Sequence, residues 1–385
     1  MSPQTARPHI GLNLVFLVPG ETGGMETYAR ELIAVLIKEV PELRLTAFLS
    51  REAAEDTNGP WAGIESVTVP VWARHRSEWV RGEQQLLPRL AKRHGVDLLH
   101  SLASTAPAWG AFRRVVTIHD VIYRIYPEAH GGLRARGMAA LVPLAARRSD
   151  RIIVPSASTR DDLTRHLNVA PEKIDVVPEG VRPPAQPASE SPSKVRARLG
   201  LGERPVVLTL SAKRPHKNIP RLLEAIALIP RERRPVLLLP GYATEWEDDL
   251  RRRAAELGLA DDTRFLGWVG SGELEALYSA ASCFVFPSLY EGFGLPVLEA
   301  MARGVPVACS DRGSLPEVAG GAARLFDPER PQAIAEAIEA LLFDPAEGAR
   351  LVTAGRRRAA SLTWQETGRA TAAVYRRTLA STFQP

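Results

Sequence analysis

The sequence predicts an α/β protein of two Rossmann-like domains, each built on a parallel sheet. Short apolar runs alternate with amphipathic stretches, the pattern of βαβ units, and this alternation occurs twice along the chain. At 385 residues the chain also exceeds what one hydrophobic core normally supports.

In the first set the apolar runs are 10–18, 43–49, 97–101, 114–118 and 151–155, with a helical pattern over 26–40. In the second they are 206–210, 236–239, 283–286 and 305–309. Between the sets lies PPAQPASESPS at 183–193, rich in proline and serine and free of large apolar residues, which predicts a linker. The expected division is a first domain at 1–182, the linker at 183–193, a second domain at 194–362, and a C-terminal helix at 363–385. That helix has apolar positions at Trp364, Val374, Tyr375 and Leu379, and is expected to pack back toward the first domain.

Composition narrows the class without choosing a function. Hydrophobic content of 45% and charged content of 24% are those of an ordinary globular enzyme. Cys283 and Cys309 lie inside apolar runs and lack CxxC spacing, which argues against a disulfide framework or a zinc site. The opening MSPQTARPH has none of the features of a signal peptide, and the run 10–18 is shorter than the roughly 20 residues that span a bilayer, so a cytoplasmic protein is expected. A net charge of +5 calls for anionic company: phosphates of a small ligand, a membrane face or nucleic acid. The basic residues are scattered without aromatic interleaving, so nucleic acid is not expected as a partner.

The chemistry concentrates in FVFPSLYEGFGLPVLEAMARGVPVACSDRGSLPE, 284–317, which reads as strand, glycine turn, helix, strand, turn. Pro296 suits the first helical turn, and Gly292 and Gly294 let backbone amides approach a ligand. Such a helix start attracts anions through its unpaired N–H groups and its dipole. A tight βα turn without a ligand explains the glycines equally well. Glu291 and Glu299 flank the turn eight positions apart; singly they read as a loop cap and a helix-start charge, but E-G-F-G-L-P-x-L-E together is far more specific.

This segment resembles the E-x7-E signature of the retaining GT-B glycosyltransferases of family 4, and the resemblance covers nearly the whole chain. It implies two Rossmann-like domains with parallel sheets facing across a cleft that holds a nucleotide diphosphate sugar. It further implies that Glu299 binds the ribose hydroxyls and Glu291 sits by the sugar. The turn Gly292, Phe293, Gly294 and Leu295 would hold the sugar and diphosphate.

The other marks of the resemblance follow in chain order. PGETGGME, 19–26, resembles the family's acceptor-side loop, in which Gly23 and Gly24 would face the donor phosphates; the spacing is not G-x-G-x-x-G, and a plain helix-entry loop fits too. VVTIHDVIYRIYPE, 115–128, ends a strand at His119 and Asp120, at the carboxyl edge where doubly wound sheets bind ligands. It is similar to a branch of bacterial mannosyltransferases that extend polysaccharide. Ser156 and Ser158 match the next strand-to-helix junction, where a simple N-cap is an equal explanation. In 208–226 Lys217 matches the family's diphosphate-gripping lysine, but its G-R positions are Ser211 and Ala212 here, so Lys213 or Arg214 would have to replace the arginine. Gly241 and FLGWV, 265–269, with Val269, resemble the nucleobase edge. The catalytic residues so implied are His119, Asp120, Lys217 and Glu291.

The expected reaction is transfer of a hexose from GDP-mannose or a UDP-hexose to a glycan, lipid-linked or small-molecule acceptor, with retention of configuration. Negative charge builds on the leaving diphosphate, and the helix start at Gly294 and the loop of Lys217 offer fixed donors for it. No D-x-D spacing occurs; the acid pairs at 161–162, 248–249 and 261–262 are adjacent residues. Neither metal nor other cofactor is therefore expected. The rival readings are a nucleotide-sugar epimerase of similar fold, or a non-catalytic nucleotide-sugar-binding partner, against which the joint presence of His119, Lys217 and Glu291 argues. Acceptor contacts are expected from 72–79 and from RARGMAALVPLAARR at 134–148, which reads either as a buried helix or as a peripheral contact with the inner face of an anionic membrane.

Overall fold

The computed structural model describes residues 7–130, 132–183 and 188–380, with only the backbone for 129, 130 and 132–135. The chain divides into two compact units, Met1–Gly180 with Trp364–Pro385, and Val181–Thr363.

The first unit carries seven strands: β1 His9–Leu14, β2 Arg44–Leu49, β3 Glu65–Thr68, β4 Leu98–Ser101, β5 Arg113–Thr117, β6 Arg151–Val154 and β7 Ile174–Val176. All pair in parallel in the order β3-β2-β1-β4-β5-β6-β7. The interior strand β1 is buried at every residue, as a parallel strand covered on both faces must be. Helix Gly24–Glu39 packs on the sheet through Tyr28, Leu32, Ile33 and Leu36, one face at helical spacing. Helix Trp364–Ala380 belongs to this unit and buries Trp364, Val374 and Tyr375. It is tied down by Thr367 Oγ1 to the Pro178 carbonyl at 2.8 Å and by Arg377 to Asp175 at 2.8 Å.

Helix Gly132–Arg148 spends its apolar middle on the core, where Val142, Ala145 and Ala146 are fully covered. Its last carbonyls are capped by Lys173 Nζ, 2.8 Å from Ala146 O and 2.9 Å from Arg147 O. The side chain of Arg134 lies outside the described residues. No helix among the described residues is long and apolar enough to cross a membrane.

The second unit repeats the plan with six parallel strands: β8 Val206–Leu208, β9 Val236–Leu239, β10 Thr263–Phe265, β11 Cys283–Phe286, β12 Val307–Ser310 and β13 Arg324–Phe326. Their order is β10-β9-β8-β11-β12-β13. Both cysteines are buried in this sheet, which pushes their thiols up to about 12 and leaves them inert. Of the expected linker, 184–187 lie outside the described residues. Its end departs from the expectation: Ser191 and Pro192 open helix Pro192–Leu199 as N-cap and first residue, and the Ser189 N–H donates to Gly272 O at 2.9 Å.

In each sheet the strand order reverses beside the first strand, between β1 and β4 and between β8 and β11. Ligands of open α/β sheets bind beyond the carboxyl ends at such switch points.

Candidate active site

In the second unit the loops leaving β8 and β11 are stitched together across the switch point. The Leu289 N–H donates to the His216 carbonyl at 2.8 Å. Asn218, in the left-handed region at φ 58°, donates its side-chain amide to Pro287 O at 3.1 Å and Pro328 O at 2.7 Å. This frame places the Lys217 ammonium 2.6 Å from Glu291 Oε1 and 5.3 Å from the centre of the Phe286 ring. The two residues marked out by sequence thus form one ion pair, with side chains only 17% and 11% exposed.

The turn after Glu291 requires its glycines. Gly294 sits at φ 113° as N-cap of helix Leu295–Ala302, and a Cβ there would lie 2.6 Å from Leu315 Cδ2. Ser314 Oγ holds the turn from below, 3.0 Å from the Glu291 carbonyl and 2.6 Å from that of Phe293. Gly292 and Phe293 are buried in the turn, and Leu295 is half-buried at the helix start. Glu299 is half-buried in the second turn of that helix, with the Tyr278 hydroxyl 3.4 Å from Oε2. Burial pushes its carboxyl above the ordinary range, and Arg303 beside it pulls the other way.

Lys213 and Arg214 part company. Lys213 is 1% exposed, with Nζ 2.9 Å from the Gly241 carbonyl and 3.2 Å from Glu247, so it braces the loop from within. Burial lowers its pKa, against the pull of Glu247. Arg214 is half-buried on the same loop. Gly241 adopts φ 135° at the exit of β9, and a Cβ there would meet Ser211 O at 2.2 Å. Gly241→Ala is expected to cost about 1 to 3 kcal/mol of stability, seen as a lower thermal midpoint. Just beyond, Tyr242 and Trp268 stack with ring centres 4.6 Å apart and planes at 18°, beside half-buried Val269. Trp268 is 64% exposed. Sequence reasoning passed over this pair because the aromatics stand 26 positions apart and meet only through the pairing of β9 with β10.

The first unit holds the remaining predicted residues. Gly23 is the N-cap of helix Gly24–Glu39 at φ 65°, and the loop before it is closed by the Gly20 N–H donating to Glu26 Oε2 at 2.8 Å. His119 leaves β5 with Nδ1 3.2 Å from Glu179 Oε1 and Nε2 2.9 Å from the Leu102 carbonyl. Tyr28 of the first helix meets its ring edge-on at 4.8 Å, so the glycine loop's helix and His119 share one cluster. Burial works to lower the pKa of His119, but the hydrogen bond and charge of Glu179, with the Leu102 carbonyl and Asp120, raise it above 6.5. Asp120 Oδ1 accepts from the Ile122 N–H at 2.9 Å. Glu179, His100 and Thr117 were not singled out by sequence; Glu179 follows β7 in VVPEGV, and nothing local links it to position 119.

The comparisons with known proteins agree with this geometry. The family model "Glycosyl transferases group 1" matches residues 193–358, and "Glycosyltransferase Family 4" matches 22–183. The O-antigen chain mannosyltransferase B of Escherichia coli is 36% identical over 259 residues, 66% of this chain and 67% of its own. The chain belongs to glycosyltransferase family 4. Among solved structures, the sucrose-phosphate synthase of Thermosynechococcus elongatus superposes with a TM-score of 0.80 at 25% identity, over 98% of this chain and 100% of that one. The Anabaena protein HepE, solved in complex with UDP-glucose, gives a TM-score of 0.76 at 22% identity, covering 96% of this chain and 99% of that one. The fold class of this glycosyltransferase is GT-B, with two parallel Rossmann-like sheets in one chain.

Proposed function

We propose that this glycosyltransferase moves a hexose, mannose from GDP-mannose ahead of glucose from UDP-glucose, onto a glycan or lipid-linked acceptor with retention and without a metal ion. The observation that carries the reading is the Lys217–Glu291 pair under the helix start at Gly294, at the β8/β11 switch point. The likeness to a mannosyltransferase favours the guanine-linked donor, and the likeness to a protein holding UDP-glucose supports a nucleotide sugar in general.

In the proposed step the bond between the anomeric carbon and the diphosphate oxygen breaks, and its electron pair goes to the phosphate. The acceptor hydroxyl oxygen forms the new bond on the same face and gives its proton to the departing diphosphate. Lys217 and the amides at Gly294 and Leu295 offset the charge that develops there. Glu299 takes the ribose hydroxyls, and Gly23, Gly24, His119 and Asp120 serve from the first unit. The site of action is read as the cytoplasm. For a lipid-linked acceptor, Arg136, Arg147 and Arg148, all exposed on helix Gly132–Arg148, are the cations that would meet an anionic membrane face.

Release of free nucleoside diphosphate, measured with GDP-mannose and UDP-glucose in parallel and with and without glycan acceptor, tests the reading. No acceptor-dependent release from either donor would overturn it. Glu299→Gln replaces a charged acceptor of hydrogen bonds with a neutral one. It is expected to weaken nucleoside diphosphate binding by about 1 to 2 kcal/mol in calorimetry; unchanged affinity would reduce Glu299 to a helix-start charge.

A further inference from the structure

Both ring nitrogens of His119 face oxygen acceptors: Glu179 Oε1 at 3.2 Å from Nδ1 and the Leu102 carbonyl at 2.9 Å from Nε2. A carbonyl oxygen only accepts, so Nε2 carries a hydrogen. An ionised carboxylate also only accepts, so Nδ1 carries one too. Opposite a Glu179 carboxylate, a neutral imidazole, with its single N–H, satisfies one of the two contacts and the imidazolium satisfies both. The ring is further fixed by its backbone N–H donating to Ser104 Oγ at 3.3 Å and by the edge-on ring of Tyr28. Exposures of 13% for the His119 side chain and 6% for that of Glu179 keep water from replacing either contact.

The titratable groups around it favour the charge. Glu179 faces it from the loop after β7, and Asp120 is its chain neighbour. Tyr28, from the first helix, has its phenol pushed far above the working range by burial and is neutral. His100, from β4, is held neutral by burial, its pKa pushed down to about 3.

We propose that His119 takes part in transfer as a fixed imidazolium rather than as a proton acceptor, and that Glu179 is the positioning residue that holds both its ring and its charge. This rests on the reading of His119 as part of the transfer site. With both nitrogens spent on internal partners the ring has no lone pair with which to deprotonate an acceptor hydroxyl. What it presents is a positive charge at the carboxyl edge of β5, of the sign that opposes negative charge developing on a leaving diphosphate.

The test is a side-chain nitrogen NMR titration of the full chain from pH 5 to 9, with His119 assigned by comparison with His119→Gln. Both nitrogens are expected to remain protonated through pH 6.5, with a midpoint above that value. Glu179→Gln, which keeps the shape of the side chain, is expected to lower the midpoint by about one unit or more. It should also move the alkaline limb of the pH–rate profile to lower pH, with kcat falling more than KM rises. A wild-type midpoint at or below 6.5, or a midpoint unmoved by Glu179→Gln, overturns the proposal. If Glu179→Gln does not fold, the wild-type titration decides alone. If the titration behaves as stated but no donor releases nucleoside diphosphate, the transfer reading fails and the charge assignment stands.

Discussion

Replacing Lys217 with alanine is expected to slow transfer about a hundredfold, on the order of 3 kcal/mol, while donor affinity falls far less. The ammonium is already held by Glu291 at 2.6 Å, on a loop that the Asn218 amide ties to Pro287 O and Pro328 O, so it needs little reorganisation when charge appears on the diphosphate. Removing it also leaves Glu291, 8% exposed, without its cation, and that stranded charge has its own cost. The double variant Lys217→Ala with Glu291→Gln separates the two: a further loss beyond Lys217→Ala shows Glu291 acting on its own, and partial recovery shows the stranded carboxylate. Transfer is expected to survive excess chelator. Should chelator abolish it and magnesium restore it, with Lys217→Ala near wild type, the metal-free reading is wrong. The neighbouring basic residues are expected to respond differently. Lys213→Ala takes the ammonium from the Gly241 carbonyl and from Glu247, which keeps Arg251 at 2.6 Å, and is expected to lower the melting temperature, at a cost of about 1 to 3 kcal/mol, whereas Arg214→Ala is expected to act on donor binding or rate.

That contrast shows where sequence reading reached its limit. Lys213, Arg214 and Lys217 are one basic loop in sequence, and only the path of the chain over Gly241 turns the first inward. The strands show the same limit. Every interior strand of both sheets was legible as a mainly apolar run, because a parallel strand covered on both faces buries both of its faces, with polar exceptions such as Asn13 and His100. The four strands that were not anticipated, β3, β7, β10 and β13, are the four sheet edges. Each has three or four residues, and polar ones such as Glu65 and Arg324 stand exposed on them, as edges that resist further pairing do. Within the candidate site, Glu291, the glycine turn and Glu299 could be grouped from sequence because they lie on one strand-turn-helix segment. Glu179 and His119 stand 60 positions apart, and Tyr242 and Trp268 meet through neighbouring strands, so no local pattern announces either pair.

Acid is expected to destabilise the first unit through His100 over the range from about pH 6.5 to 3. This ring is fully buried on β4, with Nδ1 2.7 Å from the Tyr375 hydroxyl and Nε2 2.8 Å from Thr117 Oγ1. The Tyr375 phenol, held far above its ordinary pKa by burial, stays neutral, and a neutral imidazole between two hydroxyls satisfies both contacts by donating from one ring nitrogen and accepting at the other. Burial, reinforced by the nearby charge of His119, pushes the pKa of His100 down to about 3. In the unfolded chain the ring protonates near 6.5, so below that pH the unfolded state binds a proton that the folded state refuses. The stabilisation is therefore complete above pH 6.5 and is lost as pH falls through about 3. The slope approaches about 1.4 kcal/mol per pH unit, and the total is on the order of 5 kcal/mol. His119 works in the opposite sense: its raised pKa stabilises most below 6.5 and loses that contribution as pH rises through its folded value. His100→Gln keeps one hydrogen-bond donor and one acceptor but cannot take up a proton, so it isolates the effect. Amide exchange on β4, followed from pH 7 to 4, should show wild-type protection falling faster than that of His100→Gln once the intrinsic exchange rate is removed. Parallel curves would mean that His100 shares the protonation of the unfolded state and adds nothing to acid sensitivity.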